Sequence, residues 1–430
     1  MKILLLGAGG VGQSLATIIG QQDMKGEWLE QLVVADRYLE KSKEVCDKLK
    51  EKVKNTSRFI PEQVNALEKD DIVRLAKKYE VGLIITCLDT DPFDLIVMDA
   101  CLDCDCHYID MGLTLTERDP EDPTKITKFP GEDQFKKSKA FEDKKLFAVC
   151  ACGVEPGLID FFAKYAEKYY FDEIDGMYTR DGGNLAHPTN NIPFGFSIFQ
   201  SAVECNLGPI LWNKESGFHS APPLSLAEEF WLPGGIGAVR MTAIEHSEPM
   251  NMARHIGKGL KETNFKIAFG EAFEAAMKNL KDLGMINMNK INVNGVEICP
   301  LDVLGVTAPN PKDIGKEMVG RTCGGLWVTG RKDGMERQIY MYQYSDNQEC
   351  LERLGCQAVV AQTAAAPSIV AQLIATGKMD GPYGARVPEE YNPDPVMALL
   401  AEYHFPAGVL EMESEYREAL EQKKFLEPIK

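Results

Sequence analysis

The residues with the most explicit chemistry stand at the start of the chain. Gly7-Ala8-Gly9-Gly10-Val11-Gly12 follows the apolar run Lys2 to Leu6 and opens a stretch of helical character from Val11 to Ile19. Glycines at this spacing allow a tight turn, close approach of backbone to a pyrophosphate, and close packing of helix on sheet. A second apolar run, Gln31 to Ala35, ends on Asp36, 24 positions after Gly12. A carboxylate there can accept hydrogen bonds from the adenosine ribose, which favours NAD. The adjacent Arg37 could stack on adenine or meet a 2′-phosphate, so NAD and NADP both stand as cofactors. Thr86, Cys87 and Leu88 close a later strand, where the ribose and nicotinamide side should pass, or they pack the core.

Hydride transfer is the cofactor's own chemistry, so the protein must supply orientation, dryness and proton management. Asp110 ends a strand and either handles a proton or an ammonium group or caps the next turn. His187 lies in the polar loop Arg180 to His187 and is the leading acid/base candidate, against a plain surface histidine. Arg180, with Arg240 as second choice, could clamp a substrate carboxylate through its planar fork. His246 and Glu248 share a face if their segment is extended, and either bind an amine or hold a loop. Glu155, before Pro156 and Gly157, reads as complementing a helix dipole. Cys150 and Cys152 read as buried thiols. Cys101, Cys104, Cys106 and His107 lack a second cysteine pair at finger spacing, so no metal site is expected.

These groups need a scaffold, and the pattern supplies one. Apolar runs at 2–6, 31–35, 62–65, 82–86, 107–110 and 146–150 alternate with helical segments at 38–54, 70–79 and 93–103. That alternation implies a parallel, doubly wound α/β sheet with right-handed crossovers, a Rossmann domain over residues 1–150. From 151 to 350 the character turns to α+β, with strands at 238–244, 324–328 and 338–342 and a helix over 269–283. A small-residue helix follows at 359–375, within a last segment, 351–430.

A chain of 430 residues exceeds one ordinary core. The 65 acidic against 47 basic residues give a net charge of −18, which opposes nucleic acid and anionic membranes as partners. Neither an export signal nor a membrane span is expected, and the 12 cysteines read as reduced thiols of a cytoplasmic protein.

Leu83-Ile84-Ile85-Thr86 with Pro92-Phe93, then Asp99-Ala100-Cys101, His107-Tyr108-Ile109-Asp110 and Gly153-Val154-Glu155-Pro156-Gly157, resemble the saccharopine dehydrogenase family. Gly320 to Gly325, Ile339 to Tyr342, Gln362 to Pro367 and Pro388-Glu389-Glu390 with Pro393 are similar to its carboxynorspermidine dehydrogenase branch. The resemblance implies an oxidoreductase acting on a C–N bond, in which an imine of an amino-acid-like carbonyl compound and a diamine or lysine is reduced, or the reverse. It also implies a homodimer, and an inserted second domain whose end, 351–430, returns to the Rossmann domain. The loop holding His187 resembles the family's substrate loop. The branch prefers NADPH and usually has a small residue where this chain has Asp36. Oxidative deamination of the lysine 6-dehydrogenase type is a second enzymatic reading, and a non-catalytic NAD(P)-binding regulator is one of another class.

Overall fold

In a computed structural model, which describes residues 1–52, 57–190, 192 and 194–426, the apolar runs of the first domain assemble into a seven-stranded parallel sheet. Its order is Gly384–Arg386, Phe147–Val149, β5 (His107–Ile109), β4 (Leu83–Thr86), β1 (Lys2–Leu6), β2 (Gln31–Asp36) and β3 (Phe59–Gln63). Helices cover both faces, so the central strands are apolar almost throughout: Ile3, Leu4, Leu5 and Leu6 are all fully buried. The order reverses between β1 and β4, and the crevice beyond their carboxyl ends is where such sheets take ligands.

The third strand covers 59–63 rather than 62–65, because Pro61, which argues against a strand interior, sits on the sheet's outermost strand, where a missing N–H is tolerated. The second helix is described as Leu39–Lys52, and its expected end at Lys54 lies outside the described residues.

The second sheet has nine strands. Glu173–Gly183 lies at its centre, between Glu262–Ala268, parallel to it, and Arg321–Lys332, antiparallel. The hairpin Ser225–Leu232 and Gly237–Ala243 joins this sheet through Thr242 and Ile267.

The final segment divides between the sheets. Gly384–Arg386 extends the first sheet, but Gly408–Glu411 pairs with Met335–Asp346 in the second. The expected return of all of 351–430 to the Rossmann domain is thus corrected for its last part. Arg337 holds that strand: its Nε donates to Glu411 Oε1 at 3.1 Å and its guanidinium lies 4.4 Å over the Tyr416 ring.

The small-residue helix expected over 359–375 is Ala358–Ala375. With a mean hydropathy of 1.6 it is long and apolar enough, by composition, to cross a membrane. Here 78% of it is buried, packed on α1 (Gly10–Gln22), so it is a core helix of this fold. Its small residues permit the contact, and a Cβ on Gly10 would lie only 3.3 Å from Val360 Cγ1.

Candidate active site

The glycine turn is built to leave space. Gly7 has φ +97°, and a Cβ there would lie 2.7 Å from the Cys87 carbonyl oxygen. At Gly12 a Cβ would lie 1.9 Å from the Gly7 oxygen, which excludes any side chain, whereas the Cβ direction of Gly9 is open for at least 4 Å. Gly9 is the N-cap of α1, so no side chain takes the first-turn N–H groups that the helix itself leaves unpaired. Glycines 7 and 12 therefore shape the turn, and Gly9 with Ala8, Gly10 and Val11 would hold a dinucleotide pyrophosphate. Asp36 Oδ2 accepts from Ala8 N at 2.9 Å and Oδ1 from Tyr38 N at 2.9 Å, which fixes its carboxylate at the end of β2 beside the glycine turn. Arg37 is exposed, 4.7 Å over the Tyr38 ring, and lines a neighbouring hollow of 530 Å³ with Lys43 and Arg74. Thr86 is buried below the turn, and Val11 and Leu88 reach the main cavity.

That cavity, of 810 Å³, lies between the two sheets, within the size range of small-molecule sites. Its described lining carries eight carboxyl groups, on Asp89, Asp94, Asp110, Glu155, Asp181, Glu204, Glu245 and Glu271, against one arginine, Arg240, and no lysine. The acids arrive from separate elements: Asp110 one residue past β5, Glu155 in the turn before the helix Leu158–Tyr169, Asp181 from the central strand of the second sheet, Glu204 from the helix Ile198–Glu204, and Glu245 after Gly237–Ala243. Burial pushes Asp110 up to about 7, Glu204 up to about 7 and Asp181 up to about 6. Burial, then the Asp181 charge, lifts Glu155 well above the carboxylate range. Gly324 makes room for this last pair, since a Cβ there would lie 3.1 Å from Glu155 Oε2 and 3.6 Å from Asp181 Oδ1.

His246 lines the same wall. Its ring stacks on Phe265 at 3.8 Å and 2°, Nδ1 meets Glu248 Oε2, and Nε2 lies 3.8 Å from Glu204 Oε1. Burial disfavours the charged ring, but Glu248, Glu204 and Glu245 outweigh it and push His246 up to about 9. A carboxylate behind one ring nitrogen with the other facing a cavity is an acid/base arrangement.

Other candidates are placed differently. Arg180 does not reach the cavity. It is buried with Nε on Glu228 and Nη1 on Asn264 Oδ1 at 2.9 Å, so its fork is already used and the carboxylate-clamp reading is corrected. Arg240 does line the cavity, beside Glu274 at 2.5 Å. His187 reaches the rim, but its Nδ1 accepts from Thr189 N at 3.2 Å and Asn190 N at 3.1 Å, which commits that nitrogen to its own turn. The stretch around Ser247 is not extended, and Glu248 starts the helix Glu248–His255, so it stands behind His246 and not on the wall. Glu155 is not the helix-dipole partner expected of it. Asp160, at the helix's third position, takes the capping bond from Gly157 N at 2.6 Å, while Glu155 Oε2 is cut off from solvent without a partner. The thiols of Cys150 and Cys152 are fully buried, and burial raises both.

Sequence reasoning passed over Asp94, Asp181, Glu204 and Glu245. Only the last two gave any signal, as acids beside the apolar segments 198–203 and 238–244. Their convergence is tertiary.

These raised acids fix the direction of a pH effect. Carboxyls that ionise near 4 in the unfolded chain hold their protons to about 6 or 7 here, so the folded state binds more protons across that window and stability falls as pH rises through it. His246, raised to about 9, adds stability below its unfolded value of about 6.5 that is lost as pH climbs to 9. Both run the same way, so the ligand-free protein is expected to melt at a higher temperature at pH 5.5 than at pH 8.5. A melting temperature that rises over this interval in scanning fluorimetry contradicts the burial of these groups.

The chain matches known proteins over nearly its whole length. The saccharopine dehydrogenase NADP binding domain matches residues 3–149 and the saccharopine dehydrogenase C-terminal domain residues 153–405. The chain is 27% identical to carboxyaminopropylagmatine dehydrogenase of Synechocystis over 94% of its length and 96% of that protein's. It is 26% identical to carboxynorspermidine synthase of Vibrio cholerae over 96% of its length and 98% of that protein's. Among solved structures, saccharopine dehydrogenase (L-Glu forming) from Saccharomyces cerevisiae aligns with a TM-score of 0.65 at 12% identity, covering 96% of this chain and 100% of that one, a likeness of fold. The turn that fits a dinucleotide, the cavity between two sheets and these matches agree, and the chain belongs to the saccharopine dehydrogenase family, as an NAD(P)-dependent oxidoreductase acting on C–N bonds.

Proposed function

We propose that the chain reduces the imine formed between an amino-acid-like aldehyde and a diamine or similar amine with a second positive charge, giving a carboxylated polyamine. The cavity's eight carboxyls against one arginine carry this reading. Two unit charges about 4 Å apart interact by about 4 kcal/mol at an effective dielectric constant of 20. A cation entering this wall therefore draws ionisation of acids that burial keeps protonated to about 6 or 7, whereas the three carboxylates of a lysine–2-oxoglutarate adduct meet one arginine and no lysine. The two curated relatives are named for carboxylated polyamine-type products, which supports the same choice.

When bound, the reduced dinucleotide supplies hydride for the imine carbon. Within the chain, Arg240 holds the substrate carboxylate, the acidic wall orients the cationic arm, and Val154, Leu88 and Val359 help exclude water. His246 donates from Nε2 to the substrate nitrogen, and Glu248 holds the ring and its charge. Carbon gains hydride, nitrogen gains a proton, and a secondary amine results. Asp36, held beside the glycine turn, supports NADH over NADPH, because a 2′-phosphate near its carboxylate would bring further negative charge.

Incubation with NADH or NADPH, aspartate semialdehyde and 1,3-diaminopropane, followed by mass spectrometry, is expected to show a product with the summed mass of aldehyde and diamine less one water, lost on imine formation, and plus two hydrogens. Formation of a free aldehyde or keto acid from the amine alone, with reduction of NAD+, contradicts the proposal in favour of oxidative deamination.

A further inference from the structure

The end of the cavity on the Rossmann side has no part in the proton step described above. Asp94, in the helix Thr90–Cys104, and Asp110 share one amide there, since Gln134 Nε2 donates to Asp110 Oδ2 at 2.8 Å and to Asp94 Oδ2 at 3.3 Å. Asp110 Oδ1 accepts from Ala151 N at 2.5 Å. Asp94 Oδ1 has no partner, although Asp94 is 1% exposed and lines the cavity. The buried Tyr108 hydroxyl lies beside both carboxyls and acts to lower them, but not enough to offset their burial.

Among the described residues, the charges that act most strongly on Asp94 are acidic. Asp94 feels Asp110, Asp91 and Asp89, all acidic, and Asp110 lies beside Tyr108 and the buried thiols of Cys150 and Cys152. Burial raises Asp94 well above the carboxylate range and Asp110 up to about 7. Two carboxyls this close, out of water, do not both ionise, and an empty pair keeps a proton. An ammonium group brings what the pair lacks, a positive charge and three donors, one of them for Asp94 Oδ1.

We propose that Asp94 and Asp110 form a primary-ammonium subsite for the far end of the amine substrate, and that the pair releases its proton to solvent as the cation enters. The balance is simple: the protonated pair plus an ammonium gives the ionised pair with its ammonium and one proton in the buffer. The inference rests on the proposed imine reduction for the identity of the amine, but its test reads binding and not turnover.

The test is calorimetric titration of the dinucleotide-loaded protein with 1,3-diaminopropane at pH 7, in phosphate and in Tris, whose ionisation heats differ. The expected result is a buffer-dependent heat corresponding to release of between a half and one proton. Asp94→Asn is expected to abolish that dependence and weaken the diamine about 10- to 100-fold, as loss of a charge-assisted bond should, with dinucleotide affinity unchanged. A buffer-independent heat in the unaltered protein overturns the proposal, so it stays testable even if the variant fails to fold. So does an Asp94→Asn variant that loses dinucleotide affinity while keeping its diamine affinity. If diamine binds with proton release but no substrate pair is turned over, the subsite stands and the imine reading fails.

Discussion

Replacing His246 with Asn is expected to lower kcat by about 10²- to 10³-fold, the range in which a positioned proton donor contributes, while NADH affinity stays unchanged. The ring is placed for that role on three sides: stacked on Phe265, held at Nδ1 by Glu248, and open at Nε2 toward the cavity and Glu204. Glu248→Gln separates orientation from charge. It keeps an acceptor for the ring but removes the largest charge holding the imidazolium, so the alkaline limb of the kcat profile that reports His246 is expected to move toward lower pH. A His246→Asn variant with normal turnover removes this residue from the mechanism. His187 would then become the next group to examine, because it also reaches the cavity.

Replacing Asp36 with Ser is expected to raise the NADPH-to-NADH ratio of kcat/KM by about 10- to 1000-fold. One unit charge against another about 4 Å away costs about 1 kcal/mol in water and about 4 kcal/mol at an effective dielectric constant of 20, and a 2′-phosphate carries more than one. Arg37, with Lys43 and Arg74 around the neighbouring hollow, is then available to the phosphate. Steady-state rates with both dinucleotides check this. An unchanged ratio places the ribose away from Asp36, and the carboxylate then serves only its bonds to Ala8 and Tyr38.

The dinucleotide half was legible because its determinants are local. Gly7, Gly9, Gly12 and Asp36 lie in one βαβ unit, where strand, turn and helix follow from pattern and the acid from spacing. The cavity was legible only in part. Asp110, Arg240 and His246 could be chosen by type and position, but Asp94, Asp181, Glu204 and Glu245 come from four elements that meet only after the second sheet closes over the first. Arg180 shows the opposite failure. Its type suited a carboxylate, yet Glu228 and Asn264 take its donors, and nothing local reveals that pairing. Glu155 stands at a helix start, where a dipole role is the ordinary reading, but Asp160 holds the cap.

The claim on which the rest depends is that the acidic cavity selects an amine with a second positive charge. It is tested most directly by kcat/KM for 1,3-diaminopropane against n-propylamine, with aspartate semialdehyde and NADH at fixed concentrations. At least about a 100-fold preference for the diamine is expected, which corresponds to about 2.7 kcal/mol and lies within the range of one buried charge-assisted contact. Equal values for the two amines, or faster NADH oxidation with 2-oxoglutarate and lysine, contradict it.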